Sequence, residues 1–264
     1  MNTLSKKVMN WLQLPETKNI DSIDSPAATE LRHRIIFEKV FLRRLYLDFY
    51  KEFIRVQKES NGSLCVELGS GGGFLKKVLP GIITSDILFL PHMDLNYSAL
   101  KMPFKNNSIH SFFLLNVLHH MKDCSVFFEE VNRCLKRGGR VIMIEPANTR
   151  WGRFVYQNFH HEPFNPGGDW TAAGSGPLSC ANGAIPWIIF YRDRKKFEQK
   201  FPALKIKRLQ HHTPFRYMIS GGVSMKALLP IWAYHVIKGF EMLLTPFNDW
   251  LGMFLTIEIE KVND

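Results

Sequence analysis

The chain has 264 residues, 45% of them hydrophobic and 22% charged, which suits one large folded domain, or one domain with a substantial insertion, and does not suit a disordered segment. Its formal charge of +10 leaves nucleic acid, an anionic lipid surface or an anionic substrate as partner classes. The basic residues are spread over Arg32–Lys58, Lys76, Lys77, Arg133–Arg140 and Arg192–Arg208 with no single run beside stacking aromatics, so a solvated basic surface is the simpler reading.

Cys65, Cys124, Cys134 and Cys180 form no CxxC pair and have no histidine at metal-ligand spacing, which argues for buried reduced thiols and for no metal. Met1 to Asp21 contains no continuous apolar stretch and no small-residue cleavage site, so the expected location is cytoplasmic.

In chain order, Leu31, Ile35, Leu42, Leu45, Phe49 and Phe53 recur at helical spacing, which predicts one long or kinked amphipathic helix from Ala27 to about Lys58, started by Asp24 and Ser25 before Pro26. It is expected to pack beside the core, with a lid over a ligand as the alternative. Short apolar runs then alternate with helical patterns: strand Leu64–Leu68, helix Gly73–Val78, strands Ile82–Asp86 and Ile109–Asn116, helix Ser125–Leu135, strand Arg140–Ile144. That alternation predicts an α/β fold with a mostly parallel sheet covered on both faces. The span from Asp86 to Ile109 is short for a helix plus a strand, so an abbreviated crossover is expected.

From Glu145 to Pro202 prolines and glycines interrupt aromatic pieces, and the aromatics favour an ordered cap over a floppy linker. Trp151, Tyr156 and Trp170 read first as the cap's own core, with the wall of an apolar acceptor pocket as the alternative, and Arg150 and Arg153 as surface salt bridges, with an anionic acceptor as the alternative. A strand near Leu204–Gln210 follows. The apolar stretch Val223–Trp250 carries Lys226, His235, Lys238 and Glu241 and is broken by Pro230 and Pro246, so it fails as a transmembrane segment. It reads as a core helical pair, or as a surface in peripheral contact with a bilayer.

The turn Glu67-Leu68-Gly69-Ser70-Gly71-Gly72-Gly73-Phe74 lies where the first strand passes to the first helix, the place of a nucleotide-type binding crevice. Phe74 replaces the third glycine of a dinucleotide fingerprint, and the Glu67 carboxylate would repel a pyrophosphate. S-adenosylmethionine has no phosphate and carries a sulfonium and an ammonium, which a carboxylate favours. Asp86, nineteen positions after Glu67, ends the second strand, where an acid can accept hydrogen bonds from ribose hydroxyls.

On these residues the chain resembles the class I, Rossmann-like S-adenosylmethionine-dependent methyltransferases of the type 11 group, over roughly Leu64 to Pro146. Glu67 to Gly73 is similar to the first motif, Asp86 to the ribose-binding acid, and Ala99 to Phe104 to the adenine segment. Asn116-Val117-Leu118-His119-His120-Met121, then Phe127–Leu135 and Lys136-Arg137-Gly138-Gly139-Arg140, are similar to the fourth strand, its helix and the following glycine turn. Ser98 stands where the family often has an aspartate for the adenine amino group, so Ser98, Asp94 or Asn96 must serve differently. Gly221–Ser224 and His161–Phe164 also resemble segments of a bacterial subgroup.

The resemblance implies a three-layer sandwich with a seven-stranded sheet whose last strand, Phe254–Val262, is antiparallel. It implies a helical extension over 1–60 and a methyltransferase domain over 61–264 with a cap-like insertion at about 146–203. Expected cofactor contacts are Glu67, Gly69, Ser70, Gly71, Gly73, Asp86, Ser98, Ala99, Asn116 and His119. His120, His161 and Glu162 are the catalytic candidates, and His160 lies beside them. The expected activity is methyl transfer to an oxygen or nitrogen of a small-molecule, sugar or lipid-linked acceptor. A nucleic-acid methyltransferase, whose binding would weaken steeply with salt, and a non-catalytic cofactor-binding regulator are the alternatives.

Overall fold

In the computed structural model, residues 11–18 and 20–262 are described, so the first ten residues of the start read above for a signal lie outside them. Helix α1, Pro26–Glu38, begins as its sequence predicts: the Ser25 hydroxyl accepts from the Ala28 amide, and proline occupies the first turn. The predicted long helix is broken at Lys39, whose extended backbone separates α1 from α2, Val40–Glu59. The Lys39 ammonium donates to the Gly222 and Met225 carbonyls at 2.6 Å each, and this tie fixes the break.

The sheet is built from β1 (Cys65–Leu68), β2 (Ile83–Asp86), β3 (Leu95–Asn96), β4 (Ile109–Leu115), β5 (Leu135–Pro146), β6 (Leu204–His212) and β7 (Phe254–Lys261). Their order is β3-β2-β1-β4-β5-β7-β6. The first five pair in parallel, and β7 inserts antiparallel between β5 and β6. A one-turn helix, α3 (Leu75–Val78), links β1 to β2, and the crossover from β2 to β4 is indeed abbreviated, with the two-residue β3 and no helix. β5 starts earlier than predicted because Gly138, at φ +75°, lets the chain pair across a register shift before Arg140.

Alternation along the strands separates two cores. Phe112 and Leu114 of β4, Val141 and Met143 of β5 and Leu255, Ile257 and Ile259 of β7 face helix α4, Cys124–Cys134, together with Ile185, Ile188, Ile189, Phe190 and Phe197. Phe113 of β4, Ile142 and Ile144 of β5 and Phe254 of β7 face α2. The Phe53 and Phe113 rings stack there at 5.0 Å. This is the expected three-layer sandwich. Of the insertion, the half around helix α5, Arg150–Phe159, is ordered against the sheet's end, while the helical turns Ile185–Trp187 and Ile188–Arg192 and helix α6, Arg194–Lys200, enter the core.

The stretch Val223–Trp250 is not a core helical pair. Helix α7, Arg216–Ser220, precedes it and α8, Ala233–Leu243, follows within it, but α8 turns only Ala233, Tyr234 and Glu241 inward. Those residues meet a polar network: Asp48 of α2 accepts from Arg216 at 2.6 Å, Tyr234 at 2.7 Å and Lys238 at 2.7 Å, and Arg216 also pairs with Glu241. Burial would raise the Asp48 carboxyl, but these donors hold it well below the usual carboxylate range. The apolar side is left open, with Trp232 72%, Val236 64% and Leu243 78% exposed. No helix among the described residues is long and apolar enough to cross a membrane.

Candidate functional site

At the carboxyl ends of β1, β2 and β4 lies a cavity of about 860 Å³. The glycine-rich turn forms one end of it. Gly69 and Gly71 have φ of +62° and +45°, which glycine adopts without a Cβ penalty. A Cβ on Gly69 would lie 2.8 Å from both methyls of Val117, so this glycine also sets how closely the turn approaches the loop after β4. The Ser70 amide donates to the Ser85 carbonyl, and the Phe74 amide to the Tyr50 hydroxyl from α2.

Two acids flank the turn. Glu67 is buried, and its Oε2 has no hydrogen-bond partner. Burial pushes its carboxyl up to about 7, against a Ser70 hydrogen bond and with the nearby Asp86 charge adding to the rise. Asp86 accepts from the Leu88 and Gly71 amides at 2.8 and 2.9 Å; burial still raises it overall. Ser98 and Ala99 line the cavity with Tyr97 and Leu100, as does Asn116, whose buried Oδ1 is also unpartnered.

Asp94 and Asn96 do not line the cavity. Asp94 takes hydrogen bonds from the Thr84 amide and hydroxyl and pairs with Lys76, and Asn96 donates to the Asp86 and Ile87 carbonyls. Ser98 is the member of that trio left at the site.

At the other end four histidines surround one carboxylate. His119 Nδ1 lies 2.6 Å from Glu145 Oε2, and its Nε2 lies 3.2 Å from Glu162 Oε2. Burial alone would lower the His119 imidazole, but the hydrogen bonds and charges of Glu145 and Glu162 outweigh it and raise it to about 10. Burial and the neighbouring His119 cation lower His120 to about 4. His120 Nδ1 lies 3.0 Å from the Cys180 carbonyl, which assigns the proton to Nδ1 and a lone pair to Nε2, 3.7 Å from Glu162 Oε1. His160 and His161 stand 3.8 and 3.7 Å from the Glu162 carboxylate, His161 being half exposed at the rim. Glu162 is held far below the usual carboxylate range: burial opposes this, and the His119 hydrogen bond and the histidine charges prevail.

All the residues expected at the site therefore border one cavity: Glu67, Gly69, Ser70, Gly71, Gly73, Asp86, Ser98, Ala99, Asn116, His119, His120, His161 and Glu162. Tyr156 lines it too. Other candidates went elsewhere. Trp151 donates to the Pro214 carbonyl, Trp170 is buried with its indole on Asp193, and Arg153 pairs with Asn148; neither they nor Arg150 border the cavity.

Arg32 of α1, which the sequence reading did not single out, lines the cavity, as does Lys122. Its helix covers the glycine turn: His33 Nδ1 lies 3.1 Å from the Gly72 and Gly73 carbonyls, and Arg32 donates to the Ile23 carbonyl. Leu31, Ile35, Ile36, Tyr46 and Tyr217 complete an apolar wall with Gly221–Met225. Helical periodicity alone could not tell that Leu31 and Ile35 face a cavity and not a core.

A protein-family model described as a methyltransferase domain matches residues 89–143, which carry β3, β4, α4 and most of β5. Sheet order, the antiparallel β7 and that match support a class I S-adenosylmethionine-dependent methyltransferase. Among solved structures, an S-adenosylmethionine-dependent methyltransferase from Archaeoglobus fulgidus is similar at 12% identity with a TM-score of 0.50, over 86% of this chain and 98% of that one. Geranyl diphosphate C-methyltransferase from Streptomyces coelicolor A3(2), crystallised with Mg2+, geranyl diphosphate and S-adenosyl-L-homocysteine, is similar at 14% identity with a TM-score of 0.46, over 88% and 84%. At these identities the likeness is one of fold. No curated protein matches the sequence.

The glycine geometry at the turn gives a direct stability prediction. Gly69→Ala, which places a methyl against Val117 at positive φ, should cost about 1–3 kcal/mol, whereas Gly81→Ala, with nothing within 4 Å of the added methyl, should be near neutral. Urea unfolding of both variants measures the difference; equal stabilities would contradict the packing described.

Proposed function

We propose that this methyltransferase moves the methyl of S-adenosylmethionine to an oxygen or nitrogen of a small acceptor carried on an apolar or lipid-linked group, working at the cytoplasmic face of a membrane. The observation that carries this reading is one chamber with the glycine turn and two acids at one end, the histidine–carboxylate cluster at the other and an apolar wall between them.

The cofactor fits the residues present. Glu67 Oε2 is a buried acceptor without a donor, which the cofactor's ammonium supplies. Asp86 retains lone pairs for the ribose hydroxyls, Gly69, Ser70, Gly71 and Gly73 admit the cofactor against the backbone, and Ser98, Ala99 and Asn116 border its base and ribose. His119, between Glu145 and Glu162, forms the partition between the two ends.

When bound, the cofactor supplies an activated methyl carbon. That carbon would be open to in-line attack by an acceptor lone pair; His120 and His161 would take the proton the acceptor loses, and the Glu162 carboxylate beside them would offset the positive charge that forms. Arg32 offers its remaining N–H groups to an anionic part of the acceptor. In this reading residues 1–60 are an extension roofing the methyltransferase domain of 61–264, and the insertion at about 146–203 supplies a cap.

Ile20, Ile23, Leu31, Ile35, Val155, Phe159 and Val223 along the wall favour an apolar acceptor. The open face of α8, with Trp232 and Trp250 beside it, favours contact with a bilayer. A nucleic-acid acceptor is less well supported, since Arg55, Arg133, Arg140, Arg192, Arg194, Arg208 and Arg216 are engaged in ion pairs and Lys226 lies over Trp11.

Cofactor binding should depend on pH through Glu67, which is faced by Asp86, Tyr46 and Tyr50. Its folded value is raised, so below about pH 7 it is protonated, and binding an ammonium must first expel that proton. Calorimetric affinity for S-adenosylmethionine should therefore fall by up to about tenfold per unit as pH drops from 7 to 5. Glu67→Gln should flatten the profile and weaken binding at pH 8 by roughly tenfold to a hundredfold. A flat profile in the unaltered protein would remove Glu67 from the cofactor site, and no binding at any pH would remove the cofactor.

The membrane part of the reading is tested by sedimentation with phosphatidylglycerol vesicles. The double variant Val236→Glu, Leu243→Glu should bind at least about tenfold more weakly, because two apolar side chains lose their burial in the acyl region. Labelled methyl from S-adenosylmethionine should pass into organic-extractable material from membranes. Unchanged vesicle binding by the variant would contradict membrane contact through α8, and label confined to the aqueous phase would contradict an apolar acceptor.

A further inference from the structure

We propose that His119 Nε2, His120 Nε2 and the Glu162 carboxylate form a three-ligand site for a divalent first-row transition ion, with its open coordination positions facing the cavity. The three side chains offer ligand atoms that all lie within 4.8 Å of one another. Glu162 Oε2 is 3.2 Å from His119 Nε2, and Oε1 is 3.7 Å from His120 Nε2. Charge-assisted hydrogen bonds between nitrogen and a carboxylate run shorter, at about 2.7–2.9 Å. Ligands bonded to one ion at about 2.0–2.1 Å stand roughly 3.0–3.4 Å apart; His119 Nε2 and Glu162 already have that spacing, and the remaining separations, all within 4.8 Å, close by small side-chain rotations when the ion binds.

The second observation is how the two imidazoles are held from behind. His119 Nδ1 faces the fully buried Glu145 carboxylate at 2.6 Å, and His120 Nδ1 faces the Cys180 carbonyl at 3.0 Å. Metal-bound histidines characteristically give their other ring N–H to a carboxylate or carbonyl, which fixes the tautomer and aims the free nitrogen. Here two adjacent histidines on the single turn Leu118–His120 are both fixed in that way, and both aim Nε2 at the same carboxylate.

Glu145 is further locked by the Val117 and Leu118 amides at 2.8 Å each, so the backing group cannot itself swing in. His160 is not a fourth ligand, because its Nδ1 accepts from the Glu162 amide at 3.3 Å, and His161 is half exposed at the rim.

Two imidazoles and one carboxylate suit zinc, iron, cobalt or manganese, whereas magnesium and calcium prefer all-oxygen shells. The cavity side of the site is left for an oxygen or nitrogen of a bound molecule. The proposal concerns the ion alone and holds whatever the acceptor is, so its test uses neither cofactor nor acceptor.

The full-length protein, stripped with a chelator, is titrated with Co2+, and bound metal and visible absorption are recorded. One ion per chain with ligand-field bands is expected. His120→Ala and Glu162→Gln should each lower the affinity by at least about a hundredfold, with far-ultraviolet dichroism unchanged, while His161→Ala retains the ion. Absence of ligand-field bands in the unaltered protein overturns the proposal, as does equal binding by a folded His120→Ala or Glu162→Gln protein. If one of those two variants does not fold, the other decides with the same readout.

Discussion

The buried carboxylate of Glu145 is the interaction on which the chamber depends. Placed at the end of β5 with no exposure, it accepts from the Val117 and Leu118 amides through one oxygen and faces His119 through the other. This fixes the turn after β4, and with it two consequences that lie on opposite sides. Val117 becomes the surface against which Gly69 closes, so the shape of the glycine turn follows from a residue 76 positions further on. His119 becomes the contact through which Glu162, and so the insertion, is drawn to the sheet. An ionised carboxylate so deeply buried is tolerable only because three donors surround it.

Closure of the chamber depends on ties between segments far apart in sequence. Asp24 accepts from the Leu178 and Ser179 amides at 2.7 and 2.8 Å, pinning the start of α1 to the insertion. His33 rests on the glycine turn, and Lys39 binds the end of α1 to Gly222 and Met225. One helix is thus held to three different walls. Of the helix read from sequence as packing beside the core, the second half, α2, does so, whereas α1 lines the cavity with Thr29, Arg32 and Ile35.

The strands, the glycine turn and Asp86 were legible because each is a local pattern: apolar alternation, glycine where φ turns positive, an acid at a strand's end. His119 and His120 were legible from their place after β4, and His161 and Glu162 from the proline-rich insertion around them. Their convergence was not, since it requires Glu162 to return to the turn after β4, 43 residues earlier. Arg32 was invisible for a related reason, being one basic residue among several on a helix whose cavity-facing side is defined only by its tertiary neighbours. Trp151, Trp170 and Arg153 serve packing and local pairing, the simpler of the two readings open in the sequence, because aromatic and basic residues in an insertion do this as readily as they bind ligand. The apolar run of Val223–Trp250 misled in the opposite sense: its hydrophobicity suggested a core, while α8 keeps most of its apolar side chains open and turns Tyr234, Lys238 and Glu241 to the network of Asp48 and Arg216.

The account rests on the glycine turn and the histidine–carboxylate cluster belonging to one reaction chamber. A crystal structure with S-adenosyl-L-homocysteine tests this most directly. The account predicts the amino group at Glu67, the ribose at Asp86, the base beside Ser98 and Ala99, and the sulfur facing the cluster around Glu162. A product bound with its sulfur turned away from Glu162, or bound outside this cavity, would contradict it.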